Sequence, residues 1–190
     1  DRATGQGNER DTRTGPQDHG RGRSAIESGK GHNEVTVMGR RRGLTDSSYI
    51  RTDAGDDVIL VSGQNAQGMY ASSVNAGDGR NSVTIGGSTG MDSSSSVITG
   101  AGNDVITITG ATGFGLGNGS TVDSGAGDDS VRVTGAAEGL SARAAINTGD
   151  GDDTVDIKGG THGLRDNASM NAGNGNNSIR ISGASQHGRS

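Results

Sequence analysis

The sequence predicts an all-β fold, a parallel β-solenoid of β-helix or β-roll type with about seven 24-residue coils and two short strands per coil. Three observations predict it. Apolar residues recur at a long fixed period: Ile26, Ile50, Val74, Ile98, Val122, Ile146 and Met170 are each 24 apart. Within each copy the apolar residues alternate with polar ones, which is the period of a strand, and no window has the 3.6-residue spacing of a helix. Glycine, 37 residues of 190, recurs at fixed places between the strands. Short strands at such a period leave no room for crossover helices, so stacking coil on coil is the arrangement that pairs them.

The elements follow in order within each copy. A first strand has the pattern S-x-[IV], with Ser24, Ser48, Ser72, Ser96, Ser120, Ala144 and Ala168 two positions before the apolar column. A glycine bend follows, containing Gly31, Gly55, Gly79, Gly102, Gly127, Gly151 and Gly175, where the backbone needs the left-handed conformations that glycine enters without a Cβ clash. A second strand carries two apolar columns: Val35 and Val37, Ile59 and Val61, Val83 and Ile85, Ile106 and Ile108, Val131 and Val133, Val155 and Ile157, Ile179 and Ile181. Only the fourth of these pairs is displaced, by one residue. A Gly-Leu corner closes the copy at Leu44, Leu116, Leu140 and Leu164, with Met69 and Met91 one residue out of register. The expected organisation is a polar N-terminal arm over 1–23, extended or flexible, a solenoid over 24–183, and a C-terminal tail over 184–190.

Composition alone points the other way. Leu, Ile, Val and Phe together number 29 of 190, a fraction typical of disordered chains, but the net charge of -5 is too small to complete that signature. Order therefore rests on the periodicity. Cysteine is absent, which excludes disulfides and thiolate metal sites. The longest apolar run, Val58 to Val61, is far too short to span a membrane. Residues 1–42 carry nine basic against six acidic side chains and the remainder eight against sixteen. With two Tyr, one Phe and no Trp there is no basic, aromatic-interleaved surface for nucleic acid.

The loops before the second strand carry the chemistry. They read Thr99-Gly-Ala-Gly-Asn-Asp-Val-Ile106, Ser124-Gly-Ala-Gly-Asp-Asp-Ser-Val131 and Thr148-Gly-Asp-Gly-Asp-Asp-Thr-Val155. This pattern resembles the glycine-rich nonapeptide of the calcium-binding RTX (repeats-in-toxin, hemolysin-type) family, as a divergent variant with one loop per 24 residues rather than tandem copies. The resemblance implies a parallel β-roll, Ca²⁺ held between coils by loop carbonyls and the motif Asp, and a bacterial protein secreted by a type I route. The motif column reads Asn33, Asp57, Asn81, Asp104, Asp129, Asp153, Asn177. The implied metal ligands are Asp104, Asp129 and Asp153, with Asp128, Asp150 and Asp152 nearby and Asp57 in the same column; hard oxygen donors suit Ca²⁺. An alternative reading needs no metal: Asn and Asp at tight turns cap their own backbone and tolerate left-handed geometry.

Two function classes remain beside a calcium-stabilised module of a larger secreted protein. The first is a non-enzymatic secreted or cell-surface structural protein, adhesive or matrix-forming, that assembles end to end into a homo-oligomer or fibre and meets a glycan or cell surface; neither terminus has an apolar inner face to cap the stack. The second is a polysaccharide-acting parallel β-helix enzyme, for which Arg132, Asp156 and Arg180 share an outward column. A ladder of alternating surface charge explains that triplet equally, and the short connections build no groove. The expectation is no enzyme, no nucleic-acid partner and no membrane span.

Overall fold

A computed structural model describes residues 9–15 and 24–184. The chain is a stack of β-coils in which every named strand pair is parallel, with no helix among the described residues. An eight-stranded sheet runs in the order β1 (Arg10–Gly15), β3 (Glu34–Gly39), β5 (Val58–Gly63), β8 (Ser82–Gly87), β11 (Val105–Gly110), β13 (Ser130–Gly135), β16 (Thr154–Gly159) and β19 (Ser178–Gly183). A seven-stranded sheet holds β2 (Ala25–Glu27), β4 (Tyr49–Arg51), β7 (Ser73–Asn75), β10 (Ser96–Ile98), β12 (Thr121–Asp123), β15 (Ala145–Asn147) and β18 (Ser169–Asn171). The corners make a third, broken ladder: β6 (Gln67–Tyr70) pairs with β9 (Thr89–Asp92), and β14 (Glu138–Leu140) with β17 (His162–Leu164). Isolated bridges join Leu44 to Met69, Met91 to Leu116 and Leu116 to Leu140. The solenoid of about seven 24-residue coils is thus the architecture of the chain.

The predicted apolar columns form the core. The Val/Ile pairs of the larger sheet from Val35 and Val37 to Val155 and Ile157 face the strand column Ile26, Ile50, Val74, Val122 and Ile146 and the corner column Leu44, Met69, Met91, Leu116 and Leu140, all buried. Alternation does this because successive residues of a strand point to opposite faces. The glycine bends are forced by the stack itself. A Cβ on Gly127 (φ +129) would lie 2.2 Å from the carbonyl oxygen of Gly102 in the coil below, and Gly102 stands in the same relation to Gly79 at 2.1 Å.

Two expectations change. The period of 24 assigns Ile98 to the inward column, but Val97 pairs with Val74 and Val122 and is fully buried while Ile98 is 42% exposed. The corner of that coil is two residues shorter than its predecessor's, since Gln67 pairs with Thr89, and the following turn is one longer, so the one-residue slip seen at Ile106 already exists in β10. Its small partner is likewise Ser95, fully buried, rather than Ser96. The second concerns the arm over 1–23. Its residues Arg10–Gly15 are a strand in register with β3, Arg10 opposite Glu34 and Gly15 opposite Gly39. Asp11 and Arg13 take the positions of Val35 and Val37 and form a partly buried ion pair of 3.3 Å. The rest of the arm (1–8 and 16–23) and tail residues 185–190 lie outside the described residues.

Candidate metal centre

The glycine bends stack into a ridge in which two columns of Asn and Asp form hydrogen-bond ladders of opposite direction. In the inner column each Oδ1 accepts the backbone N–H of the same position one coil earlier. Asn33 N–H donates to Asp57 (2.8 Å), Asp57 to Asn81 (3.1 Å), Asn81 to Asp104 (2.7 Å), Asp104 to Asp129 (2.9 Å), Asp129 to Asp153 (3.0 Å) and Asp153 to Asn177 (2.8 Å). Glu9 N–H donates to Asn33 at 3.2 Å, carrying the ladder into the N-terminal strand's coil. In the outer column the acceptor serves the next coil instead: Asn103 accepts from Asp128 N–H, Asp128 from Asp152 N–H and Asp152 from Asn176 N–H, at 3.1, 3.0 and 2.7 Å.

The two residue types of the inner column differ at the second side-chain atom. Asn81 Nδ2 donates to the carbonyls of Gly77 (3.1 Å) and Gly79 (3.2 Å), and Asn33 Nδ2 to those of Gly29 (2.9 Å) and Gly31 (3.1 Å). In Asp57, Asp104, Asp129 and Asp153 that atom is Oδ2, and all four are buried without a hydrogen-bond partner. Those side chains are 0–2% exposed. An unpaired buried polar atom costs roughly 1–3 kcal/mol, more when charged, so at this position the Asp side chains are left incomplete where Asn33 and Asn81 are satisfied. Hydroxyls sequence reasoning passed over lie alongside: Thr52 Oγ1 donates to the Ala76 carbonyl (2.8 Å) and Thr99 Oγ1 to that of Ser124 (2.9 Å), while Thr52, Thr99 and Ser124 also lie close enough to the Asp57, Asp104 and Asp129 carboxyls to favour their ionised forms. Their column, Ser28, Thr52, Thr99, Ser124 and Thr148, sits five residues before the motif residue and was readable as a small-hydroxyl repeat.

Burial dominates the electrostatics. It pushes the Asp104 carboxyl up to about 6 against the Asn81 N–H and the Thr99 hydroxyl, and the neighbouring Asp129 charge adds to the rise. Asp57 and Asp129 are raised for the same first reason, Asp129 also by Asp153 and Asp128. Exposed Asp152 is lowered instead, by the N–H and amide of Asn176.

The implied ligands thus separate into three groups. Asp104, Asp129 and Asp153 lie in one buried column on successive coils; Asp57 belongs to it but is set apart by Asn81. Asp128 and Asp152 occupy the exposed outer ladder, and Asp150 lies on the ridge crest, where its Oδ1 accepts from Asn174 Nδ2 at 2.7 Å. No group of three or more His, Cys, Asp or Glu side chains converges among the described residues. The donors along the column are its carboxylates and, by analogy with the carbonyls that Asn33 and Asn81 meet, those of the glycine loops, all hard oxygens. The orphaned Oδ2 atoms fit a hard cation, whereas Oδ1 of Asp128 and of Asp152 already accepts an N–H of the next coil in the exposed outer ladder.

Elsewhere, Arg132 and Asp156 approach to 3.7 Å on the outer face, with Arg180 opposite Asp156 in the next strand, a surface charge ladder. A shallow groove beside the smaller sheet is lined by Lys30, Arg51, Asp53, Asn75, Asp78 and Ile98. No helix of the described residues is long and apolar enough to cross a membrane. Comparisons of the chain with protein-family models, curated proteins and solved structures give no match.

Proposed function

We propose that the chain is a non-enzymatic structural β-solenoid whose coils are tied together by Ca²⁺, a repeat module of a secreted or cell-surface bacterial protein. The observation that carries this reading is the row of four buried carboxylates, each with an oxygen lacking any donor. A folded chain that needed no cation would be better served by Asn at each, as it is at Asn33 and Asn81. Ca²⁺ would be held by Oδ2 of Asp104, Asp129 and Asp153 with the glycine carbonyls of their loops, and it supplies only charge neutralisation and cross-linking between coils. The RTX resemblance supports the secreted, bacterial setting. The reading is tested by thermal unfolding with Ca²⁺ and with a chelator. At a free concentration 100-fold above Kd each site adds about 2.7 kcal/mol, so the Ca²⁺ form melts several degrees higher; equal melting temperatures would exclude the cation.

One observation favours assembly as a second reading. The outer edge of β19 has no strand on its far side among the described residues, and Ile179 and Ile181 are each 47% exposed. Further β structure stacked on that edge would cover them, and a second copy of the chain meeting it edge to edge is the partner that lengthens the rod. The groove along Arg51 and Asn75 is the place where a glycan would lie.

A further inference from the structure

Resting on the cation reading, we infer that Asn33, Asn81 and Asn177 are built-in stand-ins for the cation, so that the column divides into self-sufficient coils and a cation-dependent run at Asp104, Asp129 and Asp153. Three observations converge on this. Asn and Asp make the same Oδ1 bond to the preceding coil, so the column's backbone function does not distinguish them. The amide nitrogen then meets only oxygens, from two coils at Asn33 and Asn81 and from its own coil at Asn177. Asn33 Nδ2 has Gly29 O, Gly31 O and, at 2.9 Å, Asp57 Oδ1; Asn81 Nδ2 has Gly77 O, Gly79 O and, at 3.3 Å, Thr99 O. Asn177 Nδ2 donates to Ala172 O at 2.9 Å. Finally, the equivalent atom of the Asp coils is an unpartnered oxygen of a fully buried side chain.

The position is thus a small cage of oxygens spanning two coils, and electropositive character there is a requirement of the fold. An NH₂ group meets it from within; a carboxyl group meets it by holding a proton on Oδ2 or, when ionised, with a hard cation bound between its Oδ2 and the carbonyls. The order of residues gives the consequence. Asp57 stands alone between Asn33 and Asn81 and already accepts the Asn33 amide. Asp104, Asp129 and Asp153 are contiguous, with no amide between them, so the charges accumulate there. Cation binding is concentrated in the C-terminal half of the rod, while the N-terminal half holds its coils with amides.

The test uses the whole chain and two variants, Asp104→Asn/Asp129→Asn/Asp153→Asn and Asn81→Asp, each examined by isothermal titration with CaCl₂ and by melting with Ca²⁺ or chelator. The triple variant is expected to lose calcium binding at these loops and to melt in chelator at or above the chelated wild type. Asn81→Asp is expected to bind additional Ca²⁺ and to lose several degrees in chelator, recovering them with Ca²⁺. A wild type indifferent to Ca²⁺ overturns the cation reading itself. A wild type that responds, with a triple variant that keeps the same response or melts below the chelated wild type, overturns the stand-in alone. Should the triple variant not fold, the single Asp129→Asn and the Asn81→Asp stoichiometry carry the decision: unchanged Ca²⁺ counts in both overturn the inference.

Discussion

At the scale of the residue, the inner Asp column sets a conflict between hydrogen bonding and charge. Its Oδ1 atoms accept backbone N–H groups, which favours the ionised form, while burial of the same groups opposes it, and burial wins at Asp57, Asp104 and Asp129. For Asp104 the rise to about 6 corresponds to roughly 3 kcal/mol held against the charged form. A folded-state value above the unfolded one means that the native state binds more protons between those values, so stability increases as pH falls through about 6 toward 4. The cation-free protein is accordingly expected to melt higher at pH 5 than at pH 7 in chelator, and Ca²⁺, which needs the deprotonated form, narrows or reverses that difference. Melting temperatures at the two pH values check it; a lower value at pH 5 in chelator would contradict it.

At the scale of the element, the turns entering the smaller sheet hold non-glycine residues at positive φ: Asp46 and Ser47, Ser93 and Ser94, Ala142 and Arg143, Asp166 and Asn167. The turn of Asn118 (φ 51) and Gly119 (φ 72) has the residue pair that such geometry favours. Left-handed backbone costs an ordinary residue about 1–2 kcal/mol, so Ala142→Asn/Arg143→Gly is expected to stabilise the protein by about 1 kcal/mol in denaturant unfolding. The slip in β10 belongs to this scale too, and a sequence signal for it existed. The inward residue of the first strand precedes that of the second by nine positions in each neighbouring copy, as at Val74 and Val83 or Val122 and Val131, so Ile106 points back to Val97. The apolar doublet Val97-Ile98 concealed this, since either residue satisfies a hydrophobic column and only coil-to-coil pairing chooses.

At the scale of the whole molecule, the two ends differ in kind. At the N-terminal end β1 covers the larger sheet with Asp11 and Arg13 turned inward, a polar layer over Val35 and Val37 that blunts an edge otherwise open to strand addition. At the far end Ile179 and Ile181 are exposed. Asp11→Val/Arg13→Val extends the apolar columns to the first layer, and the variant is expected to associate with rising concentration where the wild type does not do so through that end. Sedimentation velocity checks this; identical profiles at every concentration would assign the ion pair no protective part. The strand was partly legible: Gly7 and Gly15 stand 24 residues before Gly31 and Gly39. The apolar columns missed it because the pairing is made by backbone groups, which charged side chains do not prevent.

The period, the inward Val and Ile columns and the glycine bends were determined by the sequence alone, because in a stack each residue's main neighbours are its own counterparts one coil away, and repetition records them. The Asn/Asp column was visible on the same terms, but its meaning was not. Which atom of each Asp meets an N–H, and that the other is left buried without a donor, is decided only by how one coil sits on the next. The slip at Val97 and the charged strand recruited as a sheet edge left only partial traces in the sequence, the nine-residue spacing to Ile106 and the glycines Gly7 and Gly15, and backbone pairing between coils settles both, because it places groups that the apolar columns do not encode.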